Sequence, residues 1–236
     1  MQAINYSRGG YDEIRLSSLD PQLKAQVETL VDTAGRAAKV DEHGSWDFGV
    51  ESNKKGRVES LNWDLYGVGH DIHSGKLLAA IQIRRFFRKK ASYYPSIRKN
   101  YFLVGENEDA TVFAHAVSSA VIRSAIRRDV EVIPAIQNWI FGSDYAGLIR
   151  QGDVALIPCS RRPGAPHVAN KVHVIEKTHR LDATSLRRDE TDLWARRPHM
   201  IHLPGTHPEV SGEDRWYKIA VGLRAEFWKF AAPTID

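Results

Sequence analysis

Between residues 58 and 117 the sequence carries successive runs rich in β-branched and aromatic residues: VESLNWDLYGVG, KLLAAIQIRRFF, NYFLVG and ATVFAHAV. Such runs, bounded by short polar or glycine-bearing connections, read as strands. The last two flank the tetrapeptide ENED and form the clearest hairpin. Further along, QGDVALIP supplies a turn and a strand, KVHVIEK another, and RWYKIAVGLRAEFWKFAAP two more. A chain with this many strand signals must bury sheet faces, and helices have to fit around them.

Three helices are expected. Asp20-Pro21 reads as an N-cap followed by proline in the first turn, after which Leu23, Val27, Leu30, Val31 and Ala34 recur at helical spacing. Gly35 marks its end or an interruption. SSAVIRSAIRRD has serines placed to cap a second helix, and Pro134 can open a third around AIQNWIFGSDYAGLIR. With no internal repeat and no flexible linker, the pattern predicts one α+β domain over residues 1–236. Its sheet should be largely antiparallel and curved or barrel-like, with a few short helices and the N-terminal helical segment, about 20–38, packed on it.

Composition narrows the class. Hydrophobic residues make up 42% and charged residues 26% of the 236, which fits a globular chain long enough to bury a core rather than a disordered one. Cys159 is the single cysteine, so neither an internal disulfide framework nor a multi-thiolate zinc site can form within one chain. The first residues, MQAINYSRGGYDEIRL, lack the apolar core of a secretory signal, and no run approaches the length of a membrane span. The expectation is a soluble, cytoplasmic chain. A formal net charge of +4, unevenly distributed, points to an acidic partner.

The densest basic stretch is IRRFFRKKASYYPSIRKNYF, residues 83–102. Arg84, Arg85, Arg88, Lys89, Lys90, Arg98 and Lys99 alternate there with Phe86, Phe87, Tyr93, Tyr94 and Tyr101. Cations neutralise phosphates and exposed rings stack on unpaired bases, so this combination fits single-stranded DNA or RNA better than a plain charge run does. The competing account puts Phe86 and Phe87 in the core and the cations on a solvated loop. Two other basic groups could extend such a surface: Arg123, Arg127 and Arg128 on the second helix, and Arg161, Arg162 and His167 in the loop RRPGAPH. In RWYKIAVG, alternation sends Tyr217, Ile219 and Val221 to the core and leaves Trp216 partly accessible beside Arg215 and Lys218, as a stacking platform.

Six of the ten histidines lie between His167 and His207. In HMIHLPGTH a strand would send His199 and His202 to opposite faces, while Leu-Pro-Gly-Thr can fold His207 back toward His202. Glu209, Asp214 and His173 are the available further ligands, so a divalent metal is one alternative, although nothing matches His-Glu-x-x-His. In KVHVIEK, His173 should share a face with Lys171 and oppose buried Val172 and Val174. His115, beside Phe113 and Val117, reads as a structural histidine. Asp71, between His70 and His73, sits in a turn. No P-loop or Gly-x-Gly-x-x-Gly fingerprint is present, which argues against the usual nucleotide enzymes.

Three functional expectations follow. The first is a nucleic-acid-binding protein, single strands favoured, using Arg84, Arg85, Arg88, Lys89, Lys90, Tyr93, Tyr94, Arg98, Lys99 and Trp216. The second is a histidine-dependent phosphodiester hydrolase or transferase, with or without metal, in which His202 or His207 shares acid and base work with His173. The third is a non-catalytic protein-interaction domain.

Overall fold

The computed structural model describes residues 6–9, 12–38, 58–87, 96–106, 112–142, 144–152, 154–175, 177–205 and 208–221; the side chains of 35–38, 58–62, 85–87 and 96–98 are not among those described. The fold is α+β, as the strand and helix signals predict. The contacts cluster into two compact units, Met1–Ile136 and Gln137–Ala225.

In the first unit, helix α1 (Pro21–Ala38) begins where Asp20 Oδ1 accepts from the backbone of Gln22 at 2.9 Å and Leu23 at 3.3 Å. That cap satisfies two N–H groups that the first turn would otherwise leave open. The helix continues through Gly35. Strands β1 (Val58–His70), β2 (Leu77–Phe87), β3 (Ser96–Glu106) and β4 (Val112–Val117) form an antiparallel sheet in sequence order, and the expected hairpin is β3–β4. Val27, Leu30, Val31 and Ala34 of α1 pack against Leu65, Ile81, Ile83, Phe102 and Val104 on one face of this sheet. The opposite face buries Gln82, Leu103 and His115, a set fixed by the pairings Gln82–Tyr101 and Leu103–His115. His115 is wholly buried, with Nδ1 2.8 Å from the Ala116 carbonyl, so it is the structural histidine expected from its neighbours.

Between β1 and β2 the chain turns on Asp71, whose carboxylate accepts from His73 N at 3.0 Å and whose carbonyl accepts from Gly75 N at 2.8 Å. Gly75 has φ +69°, a value that glycine reaches without steric cost. Helix α2 (Ser119–Arg127) is capped by Ser118, and helix α3 (Val132–Phe141) starts two residues before Pro134. Proline is tolerated there because the amides of a first turn have no intrahelical acceptor.

In the second unit α3 is followed by a 3-10 turn (Tyr145–Gly147) and then by strands β5 (Ile149–Gln151), β6 (Val154–Cys159), β7 (His167–Val168), β8 (Val172–Ile175), β9 (His179–Asp182), β10 (Ser185–Arg188), β11 (Leu193–Arg196), β12 (His199–His202), β13 (Val210–Ser211) and β14 (Trp216–Val221). They form two antiparallel sheets, ordered β5-β6-β14-β11-β10-β7 and β13-β12-β9-β8. Val154, Leu156, Leu186, Ala195, Tyr217 and Ile219 of the first share one core with Ile175, Leu181 and Met200 of the second. The apolar faces therefore meet sheet against sheet. This corrects the barrel-like expectation: the sheets are open, because each covers its apolar face with another layer instead of closing on itself.

Candidate nucleic-acid interface

Alternation along β14 sets the geometry of the larger sheet. Tyr217 and Ile219 are 2% and 8% exposed and point into the core, which sends Trp216 and Lys218 outward, as RWYKIAVG predicts. Pairing carries that outward face across the neighbouring strands. One row reads His167, Arg187, Trp194, Lys218, Ile157, and the next reads Ser185, Arg196, Trp216, Cys159. Trp194 lies directly opposite Lys218, and Trp216 opposite Arg196, so the two indoles are diagonal neighbours with Cβ atoms roughly 7 Å apart. Arg187 places its guanidinium 5.8 Å from the centre of the Trp216 ring.

The cations of this face are held in different ways. Lys218 pairs with Asp192 at 2.9 Å, and Arg196 with Asp214 at 3.0 Å, a carboxylate that Arg197 also approaches at 3.4 Å. These pairs are half exposed, and such contacts are worth only about 0–1 kcal/mol, so a phosphate can displace the carboxylates at little cost. Arg187 donates instead to the carbonyl oxygens of Pro163 and Ala165, and its Nε is buried with no acceptor. It thereby ties the RRPGAPH loop to the edge of the face. Arg161, Arg162 and His167 in that loop are exposed.

Of the other expected contacts, Arg84 and Lys99 are opposite each other on β2 and β3. Arg84 makes a 2.6 Å ion pair with Asp64, and Lys99 is exposed. Burial raises the Asp64 carboxyl above its usual range, outweighing the nearby Arg84 charge. Arg85 and Arg98 pair with each other in the backbone register. Arg88, Lys89, Lys90, Tyr93 and Tyr94 lie outside the described residues, as does His207. Below Arg84 and Lys99 on the same face, Gln82 Nε2 donates to the hydroxyls of Tyr66, at 3.1 Å, and Tyr101. Burial first, then the Tyr101, Asp64 and Glu13 charges, push the Tyr66 phenol up to about 12.

The histidines divide between the two faces of the smaller sheet. His199 faces away from the core, with Nδ1 2.9 Å from Ser211 Oγ and Nε2 3.2 Å from Glu209. His202 is on the core side with Met200, the opposition expected for a strand, and its ring lies 4.7 Å from that of His179. His173 overturns its expected orientation. Val172 and Val174 are 37% and 52% exposed, while His173 turns to the side of buried Ile175. The reason is that β8 is an edge strand whose inward side is filled at Ile175, which leaves its valines to the solvent. His173 and His202 are separated by two strand spacings and two residues along the strand, about 12 Å between Cα atoms. Among the described residues no three His, Cys, Asp or Glu side chains are grouped to hold a metal ion.

His173 instead lines a cavity of about 700 Å³ in the second unit, together with Arg188, Thr191, Asp192 and Lys218. Burial, and secondarily the Arg188 charge, lower its pKa from the ordinary histidine value, which favours the neutral ring. Comparison of the chain with protein-family models, curated proteins and solved structures yields no match.

Proposed function

We propose that the chain binds single-stranded nucleic acid through the outward face of the six-stranded sheet. The observation that carries this reading is the register placing Trp194 and Trp216 diagonally on adjacent strands, each opposite a cation, with Arg187 beside them. Aromatic rings on a sheet surface give successive bases a place to stack, and flanking cations meet the backbone; no base-edge readout is needed. A duplex keeps its bases stacked inside and could use only the charges.

The test is binding of labelled oligo-dT and oligo-rU across a salt series. Trp194→Ala and Trp216→Ala should each weaken binding by about 1–3 kcal/mol, roughly 5- to 150-fold, with duplex affinity changed less. No affinity at low salt, or full affinity in both tryptophan variants, would discard the proposal.

A further inference from the structure

The cavity that contains His173 is continuous in residues with the outward sheet face, because Lys218 belongs to both: it lines the cavity and it stands opposite Trp194 in the sheet. The cavity has an apolar part, from Phe141, Ile157, Leu193 and Ile219, and a polar part, from Arg188, Thr191, Asp192, Lys218 and His173. Pockets of roughly 300–1,000 Å³ that combine an apolar lining with a few polar groups accommodate compact organic ligands. The register puts Lys218 on the outward side, paired with Asp192 at 2.9 Å, and Arg188 in the core-facing row of Leu193 and Ile219, so Arg188 is the cation whose charge acts on His173.

We infer that this cavity binds a nucleoside monophosphate unit, either free or as the phosphorylated end of a single strand. Arg188 takes the phosphate, on the side of the sheet that His173 faces, and the base lies against Phe141 and the aliphatic side chains. The choice of a nucleotide rests on the sheet-face proposal; the preference for an organic anion follows from the lining alone. Phosphate beside His173 opposes the effect of the Arg188 charge. The imidazole, which lines the cavity with Arg188, Asp192 and Lys218 and is acted on by the Arg188 charge, therefore titrates at higher pH in the complex than in the free protein.

The experiment is calorimetric titration of the full chain with AMP, CMP, GMP and UMP, with adenosine and inorganic phosphate as partial ligands. It is paired with oligonucleotides bearing a 5′-phosphate, a 3′-phosphate or hydroxyl ends. At least one monophosphate should bind at least tenfold more tightly than adenosine or phosphate. Arg188→Ala, at an exposed strand end, should lose that advantage. The His173 ring resonances should report the raised titration. A source at the strand end appears as tighter binding of one phosphorylated oligonucleotide; a free ligand appears as monophosphate binding with no end preference. If oligonucleotides bind but no monophosphate does and ends make no difference, the cavity inference is overturned and the sheet-face proposal stands. Monophosphate binding lost in Arg188→Ala, with no oligonucleotide bound, supports the cavity and removes the sheet-face proposal.

Discussion

At the scale of single residues, the protonation of Tyr66 in the first unit and of His173 in the second bears on stability. Gln82, itself buried, holds the hydroxyls of Tyr66 and Tyr101, and the Tyr66 phenol, 7% exposed, is raised to about 12 mainly by burial. An unfolded tyrosine loses its proton near pH 10. Below that value the stabilisation linked to this proton is fully present; as pH rises from about 10 through the folded value, the unfolded chain gives up the proton first and stability falls. The expected loss is roughly 2–3 kcal/mol, on the scale of 1.36 kcal/mol per unit of pKa. Urea unfolding at pH 9.5 and 11.5 should show this component in the native chain and not in Tyr66→Phe; equal slopes in the two would place the phenol in contact with solvent. The opposite sign applies to His173, whose lowered value gives stability that is present above about pH 6.5 and lost as pH falls through the folded pKa. Replacing it with Gln should flatten that acid limb in the same unfolding assay.

At the scale of elements, β14 separates packing from recognition residue by residue. Ile219 lies in the core between the two sheets of its unit, so Ile219→Ala should cost about 2–5 kcal/mol, whereas Trp216→Ala should cost less stability and weaken oligonucleotide binding. Denaturant curves that rank them the other way, with affinity intact in the tryptophan variant, would return Trp216 to a packing role. On β1, Gly67 has the Val132 Cβ 2.9 Å from where its own Cβ would stand, and a β-branched side chain at a helix start has little room to move aside. Gly67→Ala should therefore destabilise by about 1–3 kcal/mol, while Gly164→Ala, in open space, should change the unfolding midpoint little. The same elements show how far local pattern reaches. The capped α1, the β3–β4 hairpin and the two sides of β14 are legible because each signal is complete within a few neighbouring residues. His173 is misread because valines on a four-residue edge strand carry the same local signal whichever way they face. Trp194 is missed because LWAR is short and follows an acidic turn. Its alternation hints at an outward indole, but its position opposite Lys218 comes from pairing with a strand more than twenty residues away.

At the scale of the whole molecule, a net charge of +4 says little about where an acidic partner binds, since the cations fall in both units. Arg187, Arg196 and Lys218 belong to the six-stranded sheet of the second, while the segment 84–101, with Arg88, Lys89 and Lys90 outside the described residues, belongs to the first. Salt dependence can assign the contacts because stacking and charge neutralisation respond to it differently. Each phosphate neutralised on a single strand adds about 0.7 to the magnitude of the slope of log affinity against log salt, whereas an indole stacked on a base adds nothing to that slope. Substituting Arg88, Lys89 and Lys90 together by Ala should therefore lower the slope by up to about 2 if the strand crosses that segment, with modest affinity loss at high salt. The Trp194→Ala, Trp216→Ala double variant should lose affinity at every salt concentration and keep the slope. An unchanged slope in the triple variant would exclude segment 84–101 from the interface and leave the cations of the second unit as the phosphate contacts. A reduced slope in the tryptophan variant would mean that the indoles orient Arg187 and Lys218 toward the backbone and do not themselves receive the bases.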